Sequence, residues 1–177
     1  SGCGPGTCRV VSCGSSAGQV KTSGAKAVSL NATVTDSAPG MSSYATGHKA
    51  NNNHVGGYPD NTADHCDNPR VEYVGEVLKR TRGRGFNVGL VTTASVIDAT
   101  PAGNAVHTSF RDAYYDIAAR MYDERAVNGV SVLMGGGATY FSPVAQGGTR
   151  KDNRDLVAAY TAEGYALVKT RTEVTAA

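Results

Sequence analysis

No stretch of this 177-residue chain runs to 18 apolar residues, so the sequence offers no membrane-spanning helix. Charge of one sign is scarce too. Lysine and arginine number 17 against 15 acidic residues, a net +2, which excludes the strong field that draws nucleic acid or an acidic membrane surface. No internal repeat occurs. The sequence opens on Ser1 with no initiator methionine and no signal-peptide pattern, so Ser1 is expected to be a mature or trimmed start. The four cysteines, Cys3, Cys8, Cys13 and Cys66, lack the spacing of a zinc finger or a redox pair. Their even number suits two disulfides of open pairing in an oxidising compartment, so a secreted or periplasmic protein is expected. Free thiols in a cytosolic protein are the alternative.

What is present is a chain that is 40% apolar, enough for a core, with 22 glycines spent on loops and tight turns. Residues 1–26 form an irregular arm rich in Cys, Gly and Ser; residues 27–177 read as one partial α/β domain. "AVSLNATV", Ala27 to Val34, predicts a strand. Ser37 to Thr46 predicts a helix, with Pro39 tolerated in its first turn and Gly47 as a left-handed terminator. A polar, turn-rich excursion follows, in which His48 and His54 read as solvated and the Asp64-His65 pair as coincidental. Asn68-Pro69 opens a helix with a Val71, Val74, Val77, Leu78 stripe that ends before Gly83.

"FNVGLVTT" predicts a buried strand, and Thr100-Pro101 a cap-plus-proline helix start leading through His107. Tyr114, Ile117, Ala118, Met121 and Tyr122 share one face of the next helix. "GVSVLM" predicts a strand ending at Gly135 to Gly137, Asp155 to Ala162 a helix, and "YALVKT" a closing strand. The tail "RTEVTAA" carries no closing element, which suggests a fragment. Strands alternating with helices predict an α/β fold, a mostly parallel sheet between helical layers, here incomplete.

In such sheets ligands collect beyond the carboxyl ends of the strands. Asp36-Ser37 leaves one strand there, Asp98-Ala99-Thr100 another, and Arg111 follows. A helix N-terminus at Ser37 and a guanidinium fork suit a phosphoryl group. The carboxylate and hydroxyl oxygens suit a hard cation. The string Thr-Asp-Ser-Ala-Pro is not a nucleophile elbow, so metal coordination is the remaining common route to a reactive serine. Blander roles stand beside these. Ser37 could be only a helix cap, Asp98 and Thr100 a loop closure, and Arg111 a surface charge. His107 reads as structural, Gly135 to Gly137 as a tight turn rather than a phosphate cradle, and Lys79, Arg80, Arg82 and Arg84 as a solvated helix end.

"VTDSAPGMSSYATGHKANNN" resembles the nucleophile segment of the alkaline phosphatase family, and "TTASVIDATPAGNAVHTSFRD" its second signature, with Arg111 four residues after His107. "VSVLMGGGATYF" resembles the glycine-rich strand end that follows. The resemblance implies a three-layer α/β/α phosphomonoesterase that works through a phosphoserine. Ser37 would be the nucleophile and a zinc ligand, Arg111 the phosphate-binding group, and Asp36 its orienting neighbour. Asp98 and Thr100 would serve Mg²⁺, beside two Zn²⁺ ions. The substrate would be a small phosphate monoester, and the family commonly forms homodimers. The family's strand-terminal Asp-Gly is absent, and so are most of its zinc ligands, so the isolated chain is expected to be inactive or nearly so. A phosphodiesterase or sulfatase-like hydrolase on the same fold, and a non-catalytic fragment or binding module, are the alternatives.

Overall fold

Two parallel strands carry the architecture. The computed structural model describes residues 29–57, 75 and 85–176. Strand β1 spans Val88–Ser95 and β2 spans Val130–Gly136, paired with Val88 opposite Val130, Leu90 opposite Leu133 and Ser95 opposite Gly136. Parallel neighbours need a crossover, and residues 96–129 supply it. The arm 1–26, all four cysteines, Asp64-His65, and the helix expected from Asn68, apart from Gly75, lie outside the described residues.

Helix α1, Ser37–Thr46, forms as its sequence predicts. Asp36 caps it, and Gly47, at φ 75°, ends it with its N–H on Ser43 O. The crossover holds α2, Ala99–Ala102, α3, Tyr114–Asp123, and α4, Arg125–Asn128. The predicted apolar stripe of α3 is the buried one: Ile117, Ala118 and Met121 join Leu90, Val130 and Leu156 in the core. Buried Asn128 closes the crossover, donating to Met121 O and accepting from Val130 N. Helix α5, Leu156–Ala162, is capped by Asp155, whose side chain accepts from Ala158 N. Tyr122 of α3 meets Tyr160 of α5 edge to face, with centroids 5.1 Å apart.

Beyond β2 the chain turns at Gly137, φ 90°, where a Cβ would overlap Ser95 Oγ. The glycine run therefore marks a tight turn and a close approach, as expected.

Several expectations fail for local reasons. Residues 29–34 are not a strand. Ser29 makes a single bridge to Ala50, and the Asn31 side chain turns back to accept from Asn52 N and Ser29 Oγ. "FNVGLVTT" is not buried: within β1 only Leu90 is enclosed, and Val91 is 71% exposed. The second helix is capped at Asp98, not Thr100, and stops at Ala102, short of His107. Tyr165 to Thr170 is not a strand. Tyr165 spends its hydroxyl on Val130 O, and Thr170 starts helix α6, Arg171–Ala176. There Thr170 Oγ1 accepts from Glu173 N while the Glu173 carboxylate accepts from Thr170 N, a reciprocal capping box. Among the described residues no helix is long and apolar enough to cross a membrane.

Candidate active site

Asp36 takes an extended conformation, φ −86° and ψ 177°, so that its Oδ1 accepts from Ala38 N at 2.6 Å. Ser37 is thus the first helical residue, and capping falls to its neighbour. A serine there presents its hydroxyl at the positive end of α1, whose first-turn N–H groups are mostly spent: Ala38 N on Asp36 Oδ1, Gly40 N on Asp36 O, and Pro39 has none.

Arg111 arrives from 74 residues away by a short chain of contacts. Buried Ser42 Oγ, on the inner face of α1, donates to Ala38 O and accepts from Gly56 N, both at 2.7 Å. That fixes residues 54–56 against the helix. Val55 and Thr108 then exchange backbone hydrogen bonds of 2.8 and 2.9 Å. The His107 ring adds a hydrogen bond between Nδ1 and Gly56 O. This is why His54 is buried, at 4% exposure, rather than solvated as the sequence predicts. His48 is exposed.

From the turn after Thr108, Arg111 Nη1 donates to Ser37 Oγ at 2.8 Å and to Asp36 Oδ1 at 3.2 Å. Asp36 Oδ2 in turn accepts from Asn53 N at 2.6 Å. The Asp36 and Arg111 side chains are about a quarter exposed, partly desolvated but reachable. Arg111 Nη2 makes no hydrogen bond among the described residues, and Nε lies 3.9 Å from Asp112 Oδ1. A hydroxyl, a carboxylate and a guanidinium with donors to spare therefore share one helix end.

Asp98 and Thr100 come from another element. They lie at the start of α2, which packs against α1 with Met41 near Gly103. The Asp98 carboxylate makes no capping bond, and Thr100 is exposed. No hydrogen bond joins either residue to Ser37, Asp36 or Arg111 among the described residues. Tyr114, which sequence reasoning assigns only to a helix face, feels the charges of both Asp98 and Arg111. Its hydroxyl donates to Asp112 Oδ1 at 3.0 Å. That bond, partial burial and the nearby Asp112 and Asp98 charges push its pKa up, while Arg111 pulls it down.

The donors at this edge are oxygens: Ser37 Oγ, the Asp98 carboxylate and the Thr100 hydroxyl. They have the hardness preferred by magnesium, an ion that fills most of its octahedron with water. Among the described residues no group of three His, Cys, Asp or Glu could hold a metal.

A family model described as alkaline phosphatase matches residues 17–177. The chain is 32% identical to the tissue-nonspecific alkaline phosphatase isozyme of Gallus gallus, covering 77% of this chain and 31% of that protein. It is 35% identical to the streptomycin-6-phosphate phosphatase of Streptomyces griseus, covering 81% and 33%. The crystal structure of Thermus thermophilus alkaline phosphatase superposes with a TM-score of 0.64 at 31% identity, covering 81% of this chain and 26% of that one. The chain thus spans about a third of the length of these curated relatives.

Proposed function

The chain belongs to the alkaline phosphatase family, and from that membership we propose that it carries the nucleophile segment of a phosphate monoester hydrolase. One observation carries the reading: Arg111 Nη1 is shared between Ser37 Oγ and Asp36 Oδ1 at the N-terminus of α1. Ser37 Oγ gives its proton to solvent and attacks phosphorus, an Oγ–P bond forms, and the P–O bond to the leaving group breaks, the departing oxygen taking a proton from solvent to leave as the alcohol. Water then cleaves the phosphoseryl ester and returns inorganic phosphate. Arg111 offers Nη2 to the non-bridging oxygens, and the positive end of the α1 dipole favours the same charge. Asp36 holds the guanidinium in place. This is catalysis by positioning and by stabilising charge that develops on equatorial oxygens.

Zinc and magnesium belong to the same reading, with Ser37 toward zinc and Asp98 and Thr100 toward magnesium. Bound metal would lower the pKa of the serine hydroxyl and neutralise charge on the leaving oxygen. The chain spans about a third of these relatives' length, and by itself it should turn over slowly at best. A secreted or periplasmic setting rests on Cys3, Cys8, Cys13 and Cys66.

The test is the phosphoenzyme. Incubated with p-nitrophenyl phosphate and quenched in acid, the chain should carry phosphate on the peptide containing Ser37, and Ser37→Ala should carry none. Label that survives the substitution removes Ser37 from its role. Turnover at the full rate of a metal-replete phosphatase would refute the expectation of slow turnover.

A further inference from the structure

The turn after α1 does more than reverse the chain. Asn53 N donates to Asp36 Oδ2 at 2.6 Å. Asn52 N donates to Asn31 Oδ1 at 2.7 Å. The Asn52 side chain reaches both sides of the same segment: Oδ1 accepts from Asp36 N, and Nδ2 donates to Val34 O, each at 3.4 Å. The two central residues of one turn thus meet Asn31, Val34 and Asp36, the stretch that leads into the serine. Asn53 pays a conformational penalty to do so. Its φ is 68°, one of two positive values among the described non-glycine residues. Asn tolerates that region better than other side chains but not freely.

The geometry explains why this conformation matters. Asp36 Oδ1 is shared by Ala38 N and Arg111 Nη1. With Oδ2 free, the carboxylate could rotate about its last torsion, which is broad and soft. The Asn53 N–H removes that freedom, so the guanidinium has one place to dock. We infer that Asn52 and Asn53 are positioning residues for anion capture: their turn holds the Asp36 carboxylate, and through it Arg111, ready for an oxyanion. The inference rests on the phosphate reading of the site given above.

The test uses the 177-residue chain and inorganic phosphate, followed by ³¹P NMR or calorimetry. Asn53→Val cannot hold the left-handed conformation and should weaken phosphate binding about tenfold. Asn53→Gly adopts it freely and should bind within about twofold of the unsubstituted chain. Asn52→Ala, which leaves the Asn53 N–H in place, should weaken binding by about threefold and serves if the valine variant does not fold. Amide exchange at Asn53 and Ala38 should quicken in Asn53→Val and stay slow in Asn53→Gly, a second readout.

Arg111→Ala separates the outcomes. If it abolishes binding while Asn53→Val and Asn52→Ala bind normally, the positioning inference is overturned and the site reading stands. Equal weakening by Gly and Val at residue 53 also overturns it, because the side chain and not the held N–H would then matter. If the unsubstituted chain takes up no phosphate at millimolar concentration, or Arg111→Ala binds as well as it does, the site reading fails and takes the inference with it.

Discussion

Two arginines of this fold have opposite fates. Arg150 is 2% exposed and spends its guanidinium on the protein: Nε on Asp152 Oδ1 at 3.0 Å, Nη2 on Asp152 Oδ2, and Nη1 on the carbonyls of Tyr115 and Tyr140 at 3.0 and 3.1 Å. Arg111 spends its hydrogen bonds from a single nitrogen, Nη1, on Ser37 and Asp36, with Nε only within ion-pair range of Asp112, and its side chain is about a quarter exposed. A buried guanidinium with its donors satisfied is a structural clamp, here joining the start of α3 to the loop beyond β2. A guanidinium held at one corner, with donors left over, is oriented without being consumed. That is what binding a phosphoryl group requires.

The contrast is broken most directly at Arg150. Arg150→Leu keeps bulk but strips donors from two backbone carbonyls and leaves Asp152 without its partner, so unfolding should cost about 3 kcal/mol less than in the unsubstituted chain. The urea midpoint measures it. A midpoint unchanged by the leucine would mean that the clamp contributes nothing. Arg111→Ala should do the reverse: stability within about 1 kcal/mol, because the pair it breaks is partly solvated, with phosphate affinity lost. Arg111→Lys, a point charge without a fork, should bind phosphate between the two. An Arg111→Ala variant that unfolds as readily as Arg150→Leu would erase the distinction.

The sequence exposed one of these arginines and hid the other for a physical reason. Arg111 stands out because its partners are side chains that also look chemical, Asp36 and Ser37, and because it follows His107 at the family spacing. Arg150 sits in "GGTRKDN" and reads as a loop charge, since two of its partners are backbone carbonyls with no side-chain signature.

The same logic sorts the rest. The end of helix α1 was legible because the Gly47 cap is local, whereas its N-cap is Asp36 and not Ser37, one residue from where the sequence suggests it. The stripe of α3 was legible because burial follows its period. Tyr165 to Thr170 misled because β-type residues pair only where a neighbouring strand offers a ladder, and Tyr165 is drawn instead to Val130 O. The Thr170–Glu173 capping box was readable as T-x-x-E and went unread beneath the apparent strand. The Asn52–Asn53 turn acts through backbone N–H groups, which composition does not reveal.

The finest test of the comparison is acid. Hydrogen bonding from Arg150, above all, holds the Asp152 carboxyl below the usual carboxylate range, aided by Arg154 N and opposed by partial burial. A carboxyl depressed in the folded state contributes stability that is present above its unfolded pKa, near 4, and is lost as pH falls through the lower folded value. The urea midpoint should therefore decline below about pH 4, and Asp152→Asn should flatten that decline while lowering the midpoint at neutral pH. The effect is the smallest of the three, because the Asp152 side chain is 46% exposed and water screens much of the attraction. An acid limb that survives unchanged in Asp152→Asn would belong to other carboxylates. Arg150 would then be held by the two carbonyls, and its clamp would be one of hydrogen bonds rather than of charge.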